Sequence, residues 1–386
     1  MSVDKGPTYQ ALIDISTPIT VVNRQARSER LETGPGEFAD YQLLIFLGET
    51  TGDLRIHDHL DPSITRFIFQ DVQVFDLPLQ NVGLGEPLQM EGIIGGDLLT
   101  RFVVSLHYGT QASVSLGDSL ADTDQELSAD CDERVLLDPA ANRPDCSAVL
   151  HANRYGGGTM LLGDQEMEIP ATRLVLGACM APDAFNPVAT PSRLLAETSG
   201  VPVSALVSTG FGVSVIARSA FERLKARRPE LVESGQSVLY LPNGEQVVSL
   251  TKIPVFSLVD DLTEDLGPCL ELARRRRLLL AHRDGLNPID RTQFGAAVAT
   301  VNTPIEFAIL ADEAPLLQGL RNELRPLVED VDVVLGGNFL KHFEPTFDFP
   351  GGRAVFRCAE DDPSCTIIPR CYPDERQPSC AGAEVP

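Results

Sequence analysis

Residues 205–216 read ALVSTGFGVSVI, and residues 11–22 read ALIDISTPITVV. Each is an apolar run suited to a buried strand, broken by a turn of small or polar residues and followed by a second apolar run. Laid over one another, Asp14 stands opposite Ser208, Ile15 opposite Thr209 and Ser16 opposite Gly210. A single change, Ser208→Asp, would turn the second copy into Asp-Thr-Gly. Comparing these two turns organises the rest of the chain.

A second pair of segments extends the match. Residues 92–116, GIIGGDLLTRFVVSLHYGTQASVSL, lie over residues 333–357, VVLGGNFLKHFEPTFDFPGGRAVFR, without a gap. Gly95 and Gly96 fall on Gly336 and Gly337, Leu99 on Leu340, and Phe102 on Phe343. Each copy reads as a buried strand, two glycines, a short helical turn and a hairpin. From Asp14 to Gly95 is 81 residues and from Ser208 to Gly336 is 128, so the second half carries 47 more. They are expected in the stretch 260–300, which holds the run Arg274 to Arg277.

Between these segments the chain is short β runs broken by Gly and Pro, with helical periodicity only near 216–228 and 314–328. The expected fold is mainly β, with two internally duplicated lobes and few short helices. A first lobe is expected over 1–122, a linker over 123–146, a second lobe over 147–358 and a cysteine-rich tail over 359–386. At least two strand-like runs precede Ser208, whereas 13 residues precede Asp14. The first lobe is therefore expected to lack its opening hairpin, with the natural start, and a signal peptide, further upstream.

The chain has 386 residues and a formal net charge of −24. Such a surface repels phosphate backbones and anionic membranes, which argues against nucleic acid as a partner. No run of 18 apolar residues is present to span a bilayer. The eight cysteines form no Cys-x-x-Cys pair and have no His cluster beside them, which argues against zinc. Four of them crowd the last 29 residues, in a segment too polar to pack alone. Disulfides in an oxidising compartment, and hence an exported protein, are the expectation, with reduced buried thiols the alternative.

The paired motifs, an apolar-apolar-Asp-Thr-Gly-like turn and then apolar-apolar-Gly once per half, resemble those of the pepsin-like and retropepsin-like aspartic peptidases. The resemblance covers most of residues 8–358. It implies a two-lobed pepsin-like fold in which one Asp from each lobe shares a proton about a pseudo-two-fold axis. One carboxylate activates water while the other protonates the peptide carbonyl, and the pair titrates as a unit. The family's Thr hydroxyls tie the two turns together, and its Gly lets the backbone turn tightly.

This chain departs from that pattern on both sides. Its first turn keeps Asp14 but has Ile15 for Thr and Ser16 for Gly; its second keeps Thr209 and Gly210 but has Ser208 for Asp. A Ser hydroxyl cannot share a proton with Asp14 at any working pH. General acid–base catalysis contributes about 10²–10⁴-fold, so the resemblance implies a catalytically impaired homologue. Asp14, Ser208, Thr209 and Gly210 mark the site position, with Ile15, Ser16, Gly95 and Gly336 around it.

The leading expectation is an inactive, exported pepsin-like protein whose interlobe cleft binds an extended peptide through main-chain hydrogen bonds. The rivals are a working endopeptidase in which Asp14 pairs with a carboxylate from elsewhere, and a structural protein whose own loops fill the cleft. Asp14 also has a plain reading as a buried carboxylate held by backbone N–H groups. No cofactor is implied.

His57 and His59 would share one side of a strand but lack further metal ligands. Asp97 and Asp348 read as structural, Gly83 to Gly85 as a lone turn, and Gly156 to Gly158 as a lead into a strand. No Gly-x-Ser-x-Gly elbow supports a serine hydrolase.

Overall fold

The structure is a computed structural model, described for residues 2–3, 11–23, 34–40, 43–57, 65–77, 83–85, 91–108, 112–117, 147–155, 158–162, 165–169, 171–181, 200–241, 244–260, 269, 297–324, 331–360 and 362–368. The strands Gly92–Ile94, Ser214–Ala217 and Val333–Leu335 are buried along their whole length. That explains why they read as unbroken apolar runs and not as alternating ones.

The duplication is visible in strand pairing. In the first copy Ala11–Ile13 runs parallel to Gly92–Ile94, pairing Ala11 with Gly92 and Ile13 with Ile94. In the second, Val201–Val207 runs parallel to Val333–Leu335, pairing Ala205 with Val333 and Val207 with Leu335. Val21–Asn23 then lies antiparallel to the first glycine-motif strand, Val21 against Ile93. Ser214–Ala217 does the same in the second, Val215 against Val334. Every one of these pairs maps onto its counterpart in the register of the sequence repeat.

The third strand of each copy shows where the extra residues enter. Val21 also pairs in parallel with Phe75, and Val215 with Ala308. Antiparallel partners of these are Glu49 and Leu250. Glu49 to Phe75 spans 26 residues and Leu250 to Ala308 spans 58, so 32 of the extra residues fall in that interval. Strands Val255–Val259 and Val298–Val301 lie within it and pair with each other. The Arg274 to Arg277 run and the stretch 123–146 lie outside the described residues.

The copies join through an antiparallel five-stranded sheet. Its order is Ser113–Gly117, Val103–His107, Phe343–Asp348, Arg353–Cys358, Ser147–His151. At the centre Ser105 pairs with Thr346, its own equivalent in the repeat. A pseudo-two-fold axis therefore passes between these two residues. Within the second copy the fully buried Phe256, Phe307, Phe339, Phe343, Phe347 and Phe356 form a connected run of ring contacts at 5.2–6.3 Å. Such pairs contribute about 0.5–1.5 kcal/mol each beyond area burial.

Among the described residues the helices are short: Gly96–Leu99, Arg218–Arg227, Pro315–Leu324 and Gly337–Leu340. The first and last follow the two glycine motifs and start from nearly identical backbone, φ −102° at Gly95 and −107° at Gly336.

The copies differ at two sheet edges. Val201–Val207 has Arg173–Ala181 on its far side, whereas Ala11–Ile13 ends its sheet among the described residues. Likewise Arg353–Cys358 is covered by Ser147–His151, while its equivalent Ser113–Gly117 is outermost among the described residues.

Cys179 is bonded to Cys269, and Cys358 to Cys365. Cys365–Ile368 pairs with Val298–Val301, joining the start of the cysteine-rich segment to the strands of the second copy. Cys131, Cys146, Cys371 and Cys380 lie outside the described residues. Among those residues no helix is long and apolar enough to cross a membrane. Disulfides are consistent with an oxidising compartment.

Candidate functional site

Both turns are set by the same backbone bond. Asp14 N–H donates to the Ile94 carbonyl at 3.1 Å, and Ser208 N–H donates to the equivalent Leu335 carbonyl at 3.0 Å. Behind them the glycine doublets pack against the turns. Gly96 N–H donates to Thr17 O at 2.7 Å and Gly337 N–H to Phe211 O at 2.6 Å. A Cβ at Gly336 would lie 2.6 Å from the Phe211 and Val213 carbonyl oxygens, and one at Gly95 would overlap the Ile19 carbonyl. These glycines serve close approach, since neither has a positive φ.

A hydroxyl and an acceptor complete each turn. Thr20 Oγ1 donates to Asp97 at 2.7 Å and accepts from Gly95 N–H at 3.0 Å. Ser214 Oγ donates to Asn338 at 2.7 Å and accepts from Gly336 N–H at 3.1 Å. Burial raises the Asp97 carboxyl above the usual range, against the lowering effect of its bonds from Thr20 and Leu98 and of nearby Arg101. Asp348 likewise holds a turn, accepting from Gly351 N–H at 2.8 Å and Arg353 Nη2 at 3.0 Å. Both acids are structural.

Asp14 and Ser208 meet at the seam between the copies. Ser208 Oγ donates to Asp14 Oδ1 at 3.3 Å, with Ser208 fully buried and Asp14 5% exposed. Oδ1 also accepts from Ser16 N–H at 2.9 Å, Ser16 Oγ at 2.8 Å and Gly210 N–H at 3.2 Å. Oδ2 accepts from Thr17 Oγ1 at 2.6 Å. Four donors thus point at Oδ1 and one at Oδ2, with the single Ser16 hydroxyl proton lying within reach of both Asp14 Oδ1 and Ser208 Oγ. Among the described residues its bonded partners are hydroxyls and backbone amides.

The cross-tie survives on one side. Thr209 Oγ1 donates to the Ile13 carbonyl at 2.6 Å and accepts from Ile15 N–H at 3.1 Å. Ile15 has no hydroxyl to return the tie and is fully buried in the apolar core. Ile15, Gly95 and Gly336 therefore shape the turns from within and present no surface to a ligand.

Two further residues carry no signal in the sequence, and one turn gains a partner. Arg173, 4% exposed, reaches from the second copy and donates through Nη1 to Ser16 O at 3.0 Å. Tyr108 follows the first hairpin strand, and its phenol is pushed up to about 12 by burial and then by the charge of Asp14. Gly83–Leu84 adds a short strand to the edge of Gly235–Leu241 in the other copy, with Gly85 N–H donating to Val238 O at 2.8 Å. The lone turn at Gly83 to Gly85 is thus a link between copies.

His57 ends the strand Leu43–His57, while Asp58 and His59 lie outside the described residues. Gly158 opens the strand Gly158–Leu162. His342 Nδ1 meets both Asp362 Oδ2 at 2.6 Å and Ser364 Oγ at 3.1 Å. Both partners sit on one ring nitrogen, which is not the arrangement of a serine triad.

The duplicated pairing, the central two-fold sheet and the facing turns define a mainly β, pepsin-like two-lobed fold. Two similar solved structures are a basic 7S globulin from soybean and an aspartic proteinase from Irpex lacteus. The globulin is 12% identical, with a TM-score of 0.38 over 90% of this chain and 87% of its own. The proteinase is 10% identical, with a TM-score of 0.42 over 94% of each chain. No protein-family model and no curated protein matches the sequence. At these values the assignment rests on the chain's own topology.

Proposed function

We propose that this is a pepsin-like protein that has lost peptidase chemistry and binds an extended peptide segment between its lobes. The observation that carries the reading is the identity of Asp14's partners. A hydroxyl, Ser208, stands where proton sharing needs a carboxylate, and Asp14 Oδ1 is held by donors from its own and the opposite turn. Among the described residues such a carboxylate has no second acid with which to divide the roles of general base and general acid. Strand addition uses main-chain hydrogen bonds, so loss of the acid pair leaves it intact. The disulfides favour an exported setting.

The test is incubation of the intact protein with unfolded casein between pH 3 and pH 7. The expected result is retention of uncut casein on immobilised protein, with no cleavage above that of Asp14→Ala. Casein that neither binds nor is cut would overturn the binding half. Cleavage that disappears in Asp14→Ala would overturn the other half.

A further inference from the structure

The two turns are related by the repeat, so a contact on one side measures the space on the other. A Cβ built on Gly210 would lie 2.5 Å from Asp14 Oδ2 and 2.6 Å from its Cγ. The bare glycine is what lets a carboxylate fit opposite. The repeat equivalent of Gly210 is Ser16, and the equivalent of Asp14 is Ser208. Residue 16 therefore stands toward residue 208 as residue 210 stands toward residue 14.

Ser16 carries the Cβ that Gly210 lacks. A carboxylate at position 208, placed as Asp14 is, would meet that Cβ at a distance shorter than folded proteins tolerate. Ser208 avoids this because its side chain stops one atom beyond Cβ. The space this leaves is taken by the Ser16 hydroxyl, which lies 2.8 Å from Ser208 Oγ and 2.8 Å from Asp14 Oδ1. Arg173 fixes the backbone beneath it through the Ser16 carbonyl.

We propose that Ser16 and Ser208 form one coupled determinant: Ser16 excludes a carboxylate from position 208 and seals the seam with its own hydroxyl. Ser16 is a positioning residue and not a catalytic one. The site is in this view a closed hydrogen-bonded cluster, Asp14–Ser16–Ser208, in which neither serine can change alone. The proposal concerns the seam itself and holds whether or not a peptide binds.

The experiment is a melting series on the full chain: native, Ser16→Gly, Ser208→Asp and the double variant, at pH 4 and pH 7. Ser208→Asp alone is expected to lower Tm by ~5 °C or more, the scale of an overpacked buried site in a chain of this size. Adding Ser16→Gly is expected to recover at least half of that loss at pH 4, where one of two facing carboxylates is readily protonated. Ser208→Asn, with the same shape and no charge, separates volume from repulsion; Ser16→Gly should rescue it equally at both pH values. If Ser208→Asp fails to fold, the asparagine pair decides. Additive Tm losses in the asparagine cycle would overturn the proposal, because independent sites add and coupled ones do not.

Discussion

Ser105 Oγ and Thr346 Oγ1 lie 2.9 Å apart, and each is the other's counterpart in the repeat. Only a pseudo-two-fold axis running between them can bring equivalent residues together in this way. The same axis carries Asp14 onto Ser208. Replacing Ser105 by Ala leaves a half-satisfied partner at the sheet centre and should cost about 1 kcal/mol. Ser105→Ala with Thr346→Val should cost less than the two single losses added, as a chemical denaturation cycle would show.

Gly95→Ala and Gly336→Ala should each destabilise by about 3 kcal/mol or more, because the new methyl would push into the carbonyls of the facing turn. Gly212→Ala and Gly235→Ala meet nothing within 4 Å and should stay within about 0.5 kcal/mol. Urea midpoints for the four variants check the contrast.

Cys179 and Cys269 close a loop with a sequence separation of 90, tying the interval with the extra residues to the strand Arg173–Ala181. Replacing both by Ala should cost ~2–5 kcal/mol. Thermal melts of the oxidised protein and the double variant measure it. The Cys358–Cys365 loop, with a separation of 7, should contribute less by the same chain-entropy reasoning.

Asp362 supplies an acid-sensitive contribution. Burial alone would raise its carboxyl, but bonds from Ser364 and His342 outweigh it and hold the group below its ordinary 3.8. A folded-state value below the unfolded one stabilises above about 3.8 and is lost as pH falls through the lowered value. Native protein should therefore melt higher than Asp362→Asn from pH 4 to 6, with the gap closing toward pH 2. A constant gap would show that Asp362 acts through packing alone.

The sequence carries the fold because its strongest signals are local and doubled. Glycine pairs after buried apolar strands, and hairpins at a fixed offset, survive without any knowledge of what they touch. The facing of Asp14 and Ser208 follows from that symmetry alone. What packs around them does not. Ser16 reads in sequence as a constraint on its own turn, yet its hydroxyl bridges to a residue 192 positions away. Arg173 and Tyr108 reach the seam from distant strands, and no periodicity marks a side chain for what it meets across a lobe boundary. Asp97 reads in sequence as structural, and in the fold it holds its turn as its counterpart Asn338, without a charge, holds the other.

Asp14 has no carboxylate partner among the described residues, and the proposal is that it performs no peptide hydrolysis. The most direct measurement is the rate of cleavage of an unfolded protein at pH 3–5 by native chain and by Asp14→Ala, each purified identically. Equal rates at background level are expected. A native rate above background that falls with Asp14→Ala would contradict the proposal.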